Sequence, residues 1–425
     1  MGAGHSHGAD ASDDAVEERV RRLLWIAVVA IGAVVLVGLV VLRTGGSDAA
    51  TIDPLGFEAD PIRARVVASV EVPCDFDPVL PCTQLTIVPD EGAFAGQRLD
   101  WQIDPSTPID DGDDVLVLID QGVDGTLLIS FFDFPRSTSM LLLVLLFVVA
   151  ILVLGGWRGL GAIAGLAASL VVIVGFTLPA VLDGRSSVLV ALVSASVIAY
   201  LALFLAHGPT AATATALLSS LASLAITGAL AWLFVVSSSL TGLADESVGF
   251  LDALGSEIDP RGLLLAGIII GSLGVLDDVT VTQVSAVWEL HRGDPGQTWR
   301  QLYARGLRIG RDHISSTVNT LFLAYAGAAM PLLLLVREAD QSVGSVLTRE
   351  VVATEVIRAL VGSIGLIASV PISTLLAARV VTAQPGPTTS TEPASHAEHT
   401  DHIEHAVTDP DRRPPPRPAP PESST

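Results

Sequence analysis

Eight separate stretches of this chain are apolar for long enough to cross a lipid bilayer, and no water-soluble core would absorb them all. They cover residues 23–42, 139–154, 160–182, 188–206, 212–238, 262–288, 314–336 and 354–378. A hydrocarbon layer of about 30 Å takes roughly 20 helical residues, and only helices or closed barrels satisfy their own backbone inside it. The expectation is an α-helical polytopic membrane protein of about eight transmembrane helices. The first run follows the charged "EERVRR", yet it is too long for a signal-peptide core and no small-residue cleavage site closes it. It reads as an uncleaved anchor. Arginines then set the orientation. Arg19, Arg21 and Arg22 precede the first span, Arg158 follows the second, and Arg292, Arg300, Arg305, Arg308 and Arg311 crowd the connection between the sixth and seventh. An even number of spans puts all of them, and both termini, in the cytoplasm.

Half of the 425 residues are hydrophobic and only 16% are charged, which excludes an ordinary soluble enzyme. A net charge of −22 argues against nucleic acid, whose phosphates call for a basic surface. The lipid bilayer is the partner that composition names.

The same orientation leaves residues 44–137 outside. Five strand-like runs lie there, "ARVVASVEV", "TQLTIV", "QRLDWQI", "DDVLVLI" and "GTLLISFF", separated by Asp, Gly and Pro turns. They predict a small extracytoplasmic β-domain between spans one and two, an OB-like barrel or a sandwich. Cys74 and Cys82 bracket the turn in "PCDFDPVLPC" and, in an oxidising compartment, predict a disulfide. With 18 Asp and Glu against 4 Arg, this segment has a solvated acidic surface.

The tails, residues 1–22 and 381–425, are polar and, at the C-terminus, rich in Pro, Ser and Thr, so they predict disorder. In "HAEHTDHIEH" the residues His396, His399, His402 and His405 recur at every third position, a spacing at which imidazoles on one helical face share zinc, nickel or copper. A plain polar tail is the competing reading. No cofactor is called for. The anchor at 23–42 and a seven-helix domain at 139–380 complete the predicted organisation.

The chemistry concentrates in the last three spans. "GVLDDVTVTQ", residues 274–283, puts Asp277 and Asp278 where the neighbours are membrane-like. A carboxylate at bilayer depth has to face protein or a water-filled cavity. Gly267, Gly271, Gly274, Asp278, Thr282, Ser285 and Glu289 share one helical stripe, expected to pack closely at its start and to line a polar path at its end. Gln283 lies beside it. The seventh span adds Asp312, Asn319, Thr320 and Tyr325, and the eighth adds Glu355 and Arg358 with a kink expected at Pro371. These residues are the candidates for a solute or ion site. The competing reading makes the Asp pair a structural counter-charge for Arg358. Spans two to five look bland, and His207 in "AHGP" reads as a cap on the fourth span.

"GIIIGSLGVLDDVTVTQVSAVWEL", "GLRIGRDHISSTVNTLFLAYAG" and "EVIRALVGSIGLIASVPIS" together resemble the YibE/F-like family of bacterial membrane proteins, with similarity reaching back to about residue 110. The resemblance implies a multi-pass protein of the bacterial plasma membrane. It places the family's acidic residue at Asp277 and makes Asp278 a departure. Arg311, Asp312, Asn319, Thr320, Tyr325, Glu355 and Arg358 come with it as candidates.

Two functions from different classes follow. One is a secondary transporter or ion-coupled permease for a small solute or ion, supported by buried acids and Gly-interrupted helices. The other is a non-transporting scaffold or signalling protein acting through the β-domain. No GxSxG nucleophile is present, so no enzyme is expected. Homo-oligomer formation is left open.

Overall fold

In the computed structural model, residues 17–43, 61–74, 79–121, 126–244, 248–249, 258–338 and 343–383 are described. The protein is mostly helical, with one five-stranded sheet inserted after the first helix. Helix α1 spans Glu18–Leu42. The strands are β1 (Ile62–Pro73), β2 (Pro81–Pro89), β3 (Leu99–Ile103), β4 (Asp114–Gln121) and β5 (Leu127–Asp133). All neighbours are antiparallel, in the order β3-β2-β1-β4-β5.

The long β1 explains the curl of this sheet. Its first residues pair with β4 (Ile62↔Val117), nearly its whole length pairs with β2, and the register shifts between Val66 and Ala68. A bulge there sharpens the local twist. The sheet rolls into a nearly closed barrel. Alternation fills its interior with Ala64, Val66, Leu85, Ile87, Val115 and Val117, each no more than 1% exposed. Cys74 and Cys82, flanking the turn between β1 and β2, are joined with an S–S distance of 2.00 Å.

The helices after the sheet are α2 (Ser137–Val172), which runs through a π-helical turn at Ile173–Thr177 into α3 (Leu178–Leu182), then α4 (Ser187–His207) and α5 (Ala211–Ser237). There follow α6 (Pro260–Gly293), α7 (Trp299–Ala328), α8 (Met330–Glu338), α9 (Val343–Leu347) and α10 (Glu350–Val381). Caps mark where they begin. Thr210 accepts from the Thr213 amide, Asp259 accepts from the Arg261 amide ahead of Pro260 at the first turn, and Thr298 with Gln301 forms a capping box.

Among the described residues six helical runs are long and apolar enough to cross a membrane: Glu18–Leu42, Ser137–Leu182, Ser187–His207, Ala211–Ser237, Pro260–Gly293 and Glu350–Val381. Two differences from the eight expected segments have physical causes. The runs at 139–154 and 160–182 share one helical assignment that breaks at Gly156, whose φ of 52° is left-handed. A Cβ on Gly159 would stand 2.5 Å from the Ile151 carbonyl oxygen, whereas residues eight apart in a straight helix lie about 12 Å apart. The chain therefore folds back at Gly156 into two arms. The segment at 314–336 is divided between α7 and α8, and the hydroxyls, Asn319, Arg311 and Asp312 of α7 leave it outside the apolar set.

Helices α5, α6 and α10 pack on one another to form the centre of the bundle. One buried cluster joins Ala231, Val235, Leu264, Leu265, Ile268 and Val361. Toward the other end, Val284, Val287, Trp288, Leu302, Ala377 and Val381 make a second. Pro371 lies inside α10 without ending it.

Candidate functional site

The centre of the bundle is polar. Helix α6 contributes Ser272, Thr280 and Gln283, α5 contributes Ser219, Ser220, Ser223 and Thr227, and α10 contributes Ser363, Ser369, Ser373 and Thr374, all of them buried. Most of these hydroxyls donate to a carbonyl three or four residues back in their own helix, which satisfies them inside an apolar bundle. Small residues bring the helices together. A Cβ on Gly365 would overlap Thr227 Oγ1 and lie 3.1 Å from Thr227 Cβ, so only glycine lets α10 approach α5 this closely.

Asp277 lies half-buried on this seam. It is 17 residues from the start of α6, about 26 Å along a helix about 51 Å long. Its Oδ1 accepts a hydrogen bond of 3.1 Å from Ser220 Oγ, and that hydroxyl is also within hydrogen-bond distance of Thr280 Oγ1. Thr280 Oγ1 in turn donates to the Asp277 carbonyl at 3.0 Å. A carboxylate offers about four acceptor sites and here has one side-chain donor. Among the described residues no arginine or histidine is ion-paired with it.

Gln283 is a joint between helices. Its Nε2 donates to the Gly306 carbonyl of α7 and to Thr374 Oγ1 of α10, both at 2.8 Å. Gly306 and Gly310 leave the space for its side chain, since a Cβ at Gly310 would lie 2.9 Å from Gln283 Oε1.

The other candidates are placed elsewhere. Arg358 pairs with Glu355 at 3.0 Å, one turn away on α10, and Tyr325 lies within electrostatic reach of both. Arg358 is therefore not the counter-charge of the Asp pair, because its own helix supplies a partner. The stripe expected to pack and then line a path is exposed along its whole length. Gly267, Gly271, Gly274, Asp278, Thr282 and Glu289 face outward, Ser285 is exposed on a cavity wall, and a Cβ on any of the three glycines would meet nothing within 4 Å. Thr282 Oγ1 bonds back to the Asp278 carbonyl at 2.9 Å. Asp312, Asn319 and Thr320 on α7 are exposed as well. The expected convergence of three spans on one site thus reduces to Asp277 and Gln283 in the seam, with Tyr325, Glu355 and Arg358 as a separate group. Among the described residues no three His, Cys, Asp or Glu side chains are placed to hold a metal, and His396, His399, His402 and His405 lie outside the described residues.

Two features were not anticipated. The side-chain donor to Asp277, Ser220, comes from α5, a span that looks bland, although "SSLASLAIT" repeats hydroxyls at four-residue spacing in residues 219–227. The second is a cavity of about 1040 Å³ where the fold-back at Gly156, the end of α4, the start of α5 and the middle of α6 meet. Val281, Val284 and Ser285 line it, and Asp277 follows on the same face of α6, one turn deeper. Thr213 and Ala216 line it from α5, and Ser220 is the next turn. At the opposite end of the bundle the helix ends are tied together. Glu350 of α10 accepts from the amides of Thr241 and Gly242 at 2.6 and 2.7 Å, and Arg261 Nε donates to the Leu240 carbonyl at 2.8 Å.

This seam and its flanking helices coincide with a known sequence pattern, for the family model of the YibE/F-like protein matches residues 143–383. The chain belongs to the YibE/F-like family. The match begins at residue 143 and not near 110, so the β-barrel of this YibE/F-like protein lies outside it. Comparison with curated proteins and with solved structures gives no match. Asp277, Gln283, Ser220 and Thr280 all fall within the matched residues.

Proposed function

We propose that this YibE/F-like protein is a secondary transporter or ion-coupled permease of the bacterial plasma membrane, with Asp277 as the group that exchanges a proton or cation. The observation that carries this reading is a carboxylate halfway along a membrane-length helix, short of counter-charge, one turn beyond the floor of a cavity. Intramembrane acids that lack a fixed cation mark ion pathways and proton relays. A cavity at one end of the bundle and helix ends tied together by Glu350 at the other suit an alternating-access cycle. In this reading Ser220 and Thr280 orient the carboxylate, and Gln283 holds α7 and α10 against α6. The protein crosses the membrane eight times with both termini in the cytoplasm, counting the two arms at Gly156 separately and α7–α8 as one span. The OB-like barrel stands outside as a receptor or spacer. The reading is non-enzymatic and uses no cofactor.

Reconstituted liposomes on a solid-supported membrane test this. Currents are recorded against protons, metal ions and organic solutes for the wild type, Asp277→Asn and Asp278→Asn. A solute-dependent current lost in Asp277→Asn and kept in Asp278→Asn supports the reading. Silence across the panel, with both variants as stable as the wild type, moves the function to the scaffold reading, in which the disulfide-closed barrel binds a partner.

A further inference from the structure

The cavity carries a second, separate message in its lining. The chain has a net charge of −22, yet among the described residues that line this space the one charged side chain is Arg158, His207 lines it too, and no Asp or Glu faces it. His207 is the last residue of α4, and its side chain stands at the cavity wall. Arg158 has no ion pair among the described residues. Thr210 and Thr213 present hydroxyls 2.9 Å apart on the adjoining wall. The rest of the lining is largely apolar, with Phe147, Ile151, Leu203 and Val281 among it. At the rim, Leu154 is 90% exposed and Trp157 89% exposed, so the mouth is faced with apolar side chains at the Gly156 turn, where a membrane-spanning hairpin reaches the edge of the bilayer.

An apolar chamber of this size with an arginine, a histidine and two threonine hydroxyls at one end and an apolar rim suits one ligand chemistry. We propose that the cavity binds an anionic amphiphile, a phosphate or carboxylate head on an alkyl chain, with the head at Arg158, His207 and Thr210 and the chain along Phe147, Ile151 and Val281. Guanidinium matches the paired oxygens of either head group, and ligand cavities in proteins commonly enclose about 300–1,000 Å³. The inference concerns binding at this cavity and stands whether or not Asp277 carries a proton.

The test uses the full chain in phosphatidylcholine nanodiscs and a decyl phosphate bearing a diazirine on its alkyl chain, with crosslinks mapped by mass spectrometry. Labelling is expected on peptides covering residues 147–162 and 203–216. Decyl phosphate and decanoate should compete it away at concentrations at which decyltrimethylammonium and inorganic phosphate do not. Arg158→Gln should reduce labelling at least tenfold, and Ala162→Trp, which fills the space from an exposed position, should do the same. Asp277→Asn should leave it unchanged, which separates this inference from the transport reading. Labelling spread over the outward faces of all helices and indifferent to Arg158 would show that the arginine merely reaches the lipid headgroups, and the proposal would fall. Equal competition by decyltrimethylammonium, or competition by inorganic phosphate alone, would overturn the anionic or the amphiphilic part respectively.

Discussion

Substituting Gly365 with alanine tests whether the close approach of α10 to α5 frames the seam. The new methyl group would overlap Thr227 Oγ1 and stand 3.1 Å from both Thr227 Cβ and Cγ2, where carbon atoms ordinarily meet at about 3.5–4.0 Å. Thr227 has no free direction to turn, because it is fully buried and its hydroxyl donates to the Ser223 carbonyl at 2.8 Å. The helices must separate by several tenths of an ångström, and overpacking of this kind costs about 1–3 kcal/mol. The better helix propensity of alanine returns up to about 1 kcal/mol, which leaves a net loss of about 1–2 kcal/mol. For a bundle of this size that is a fall of roughly 2–8 °C in midpoint. Intrinsic tryptophan fluorescence during heating in detergent reads it, since Trp288 is 2% exposed. Thr227→Ala in the same chain should recover most of the loss, as removing the two γ atoms relieves the overlap. Gly271→Ala, where a Cβ meets open space, should leave the midpoint unchanged or slightly raised. The reasoning fails if Gly365→Ala behaves like Gly271→Ala, or if Thr227→Ala does not rescue it.

Three further outcomes follow from other contacts. Gln283→Leu removes the two hydrogen bonds that tie α6 to Gly306 and Thr374, whose oxygens keep bonds within their own helices, so a loss of about 1–3 kcal/mol for the pair is expected in the same melt, and a neutral result would mean that the amide is no joint. Glu350→Ala removes the acceptor shared by Thr241 and Gly242, and a cysteine placed at the buried Leu240 should then react with a maleimide roughly five- to thirtyfold faster, the equivalent of about 1–2 kcal/mol. At the joint between barrel and bundle, Arg136 and the Phe134 amide hold the Asp133 carboxyl below the ordinary carboxylate range. A depressed acid lends stability above its unfolded value, about 4, and loses it as pH falls through the lower folded value. Amide exchange at Phe134 and Arg136 should therefore speed up below about pH 4 in the wild type beyond its intrinsic rate, and Asp133→Asn should show no such added step.

Much of this fold was legible because membrane insertion and strand alternation both leave periodic marks. The apolar runs located the helices, and the five strand runs and the Cys74–Cys82 bracket located the barrel and its disulfide. The candidate site was less legible, since an intramembrane acid announces itself and its partners do not. Asp277 was visible as a charge in an apolar run, whereas Ser220 and Thr280 are residue types that also occur in any helix as self-satisfied hydroxyls. The stripe through Asp278 was misread for a related reason. Helical spacing says which residues share a face, and only the neighbours of α6 decide that the buried face holds Asp277 and the outward one Asp278. The pairing of Arg358 with Glu355 was readable from their spacing of three, but the Asp pair drew attention as the more costly charge.

The reversal at Gly156 has a consequence for how such a chain is assembled. The anchor that precedes it is already built into the bundle, since Leu24 and Val28 are buried in its clusters and Tyr200 donates to the Val28 carbonyl at 2.6 Å. The two arms, by contrast, are joined by a two-glycine turn at which a Cβ at either position meets open space. Every hydroxyl, amide and carboxylate of the seam comes after it, and the family pattern starts only a dozen or so residues earlier. A reporter could therefore be inserted at Gly155–Gly156 while α5, α6 and α10 keep their packing.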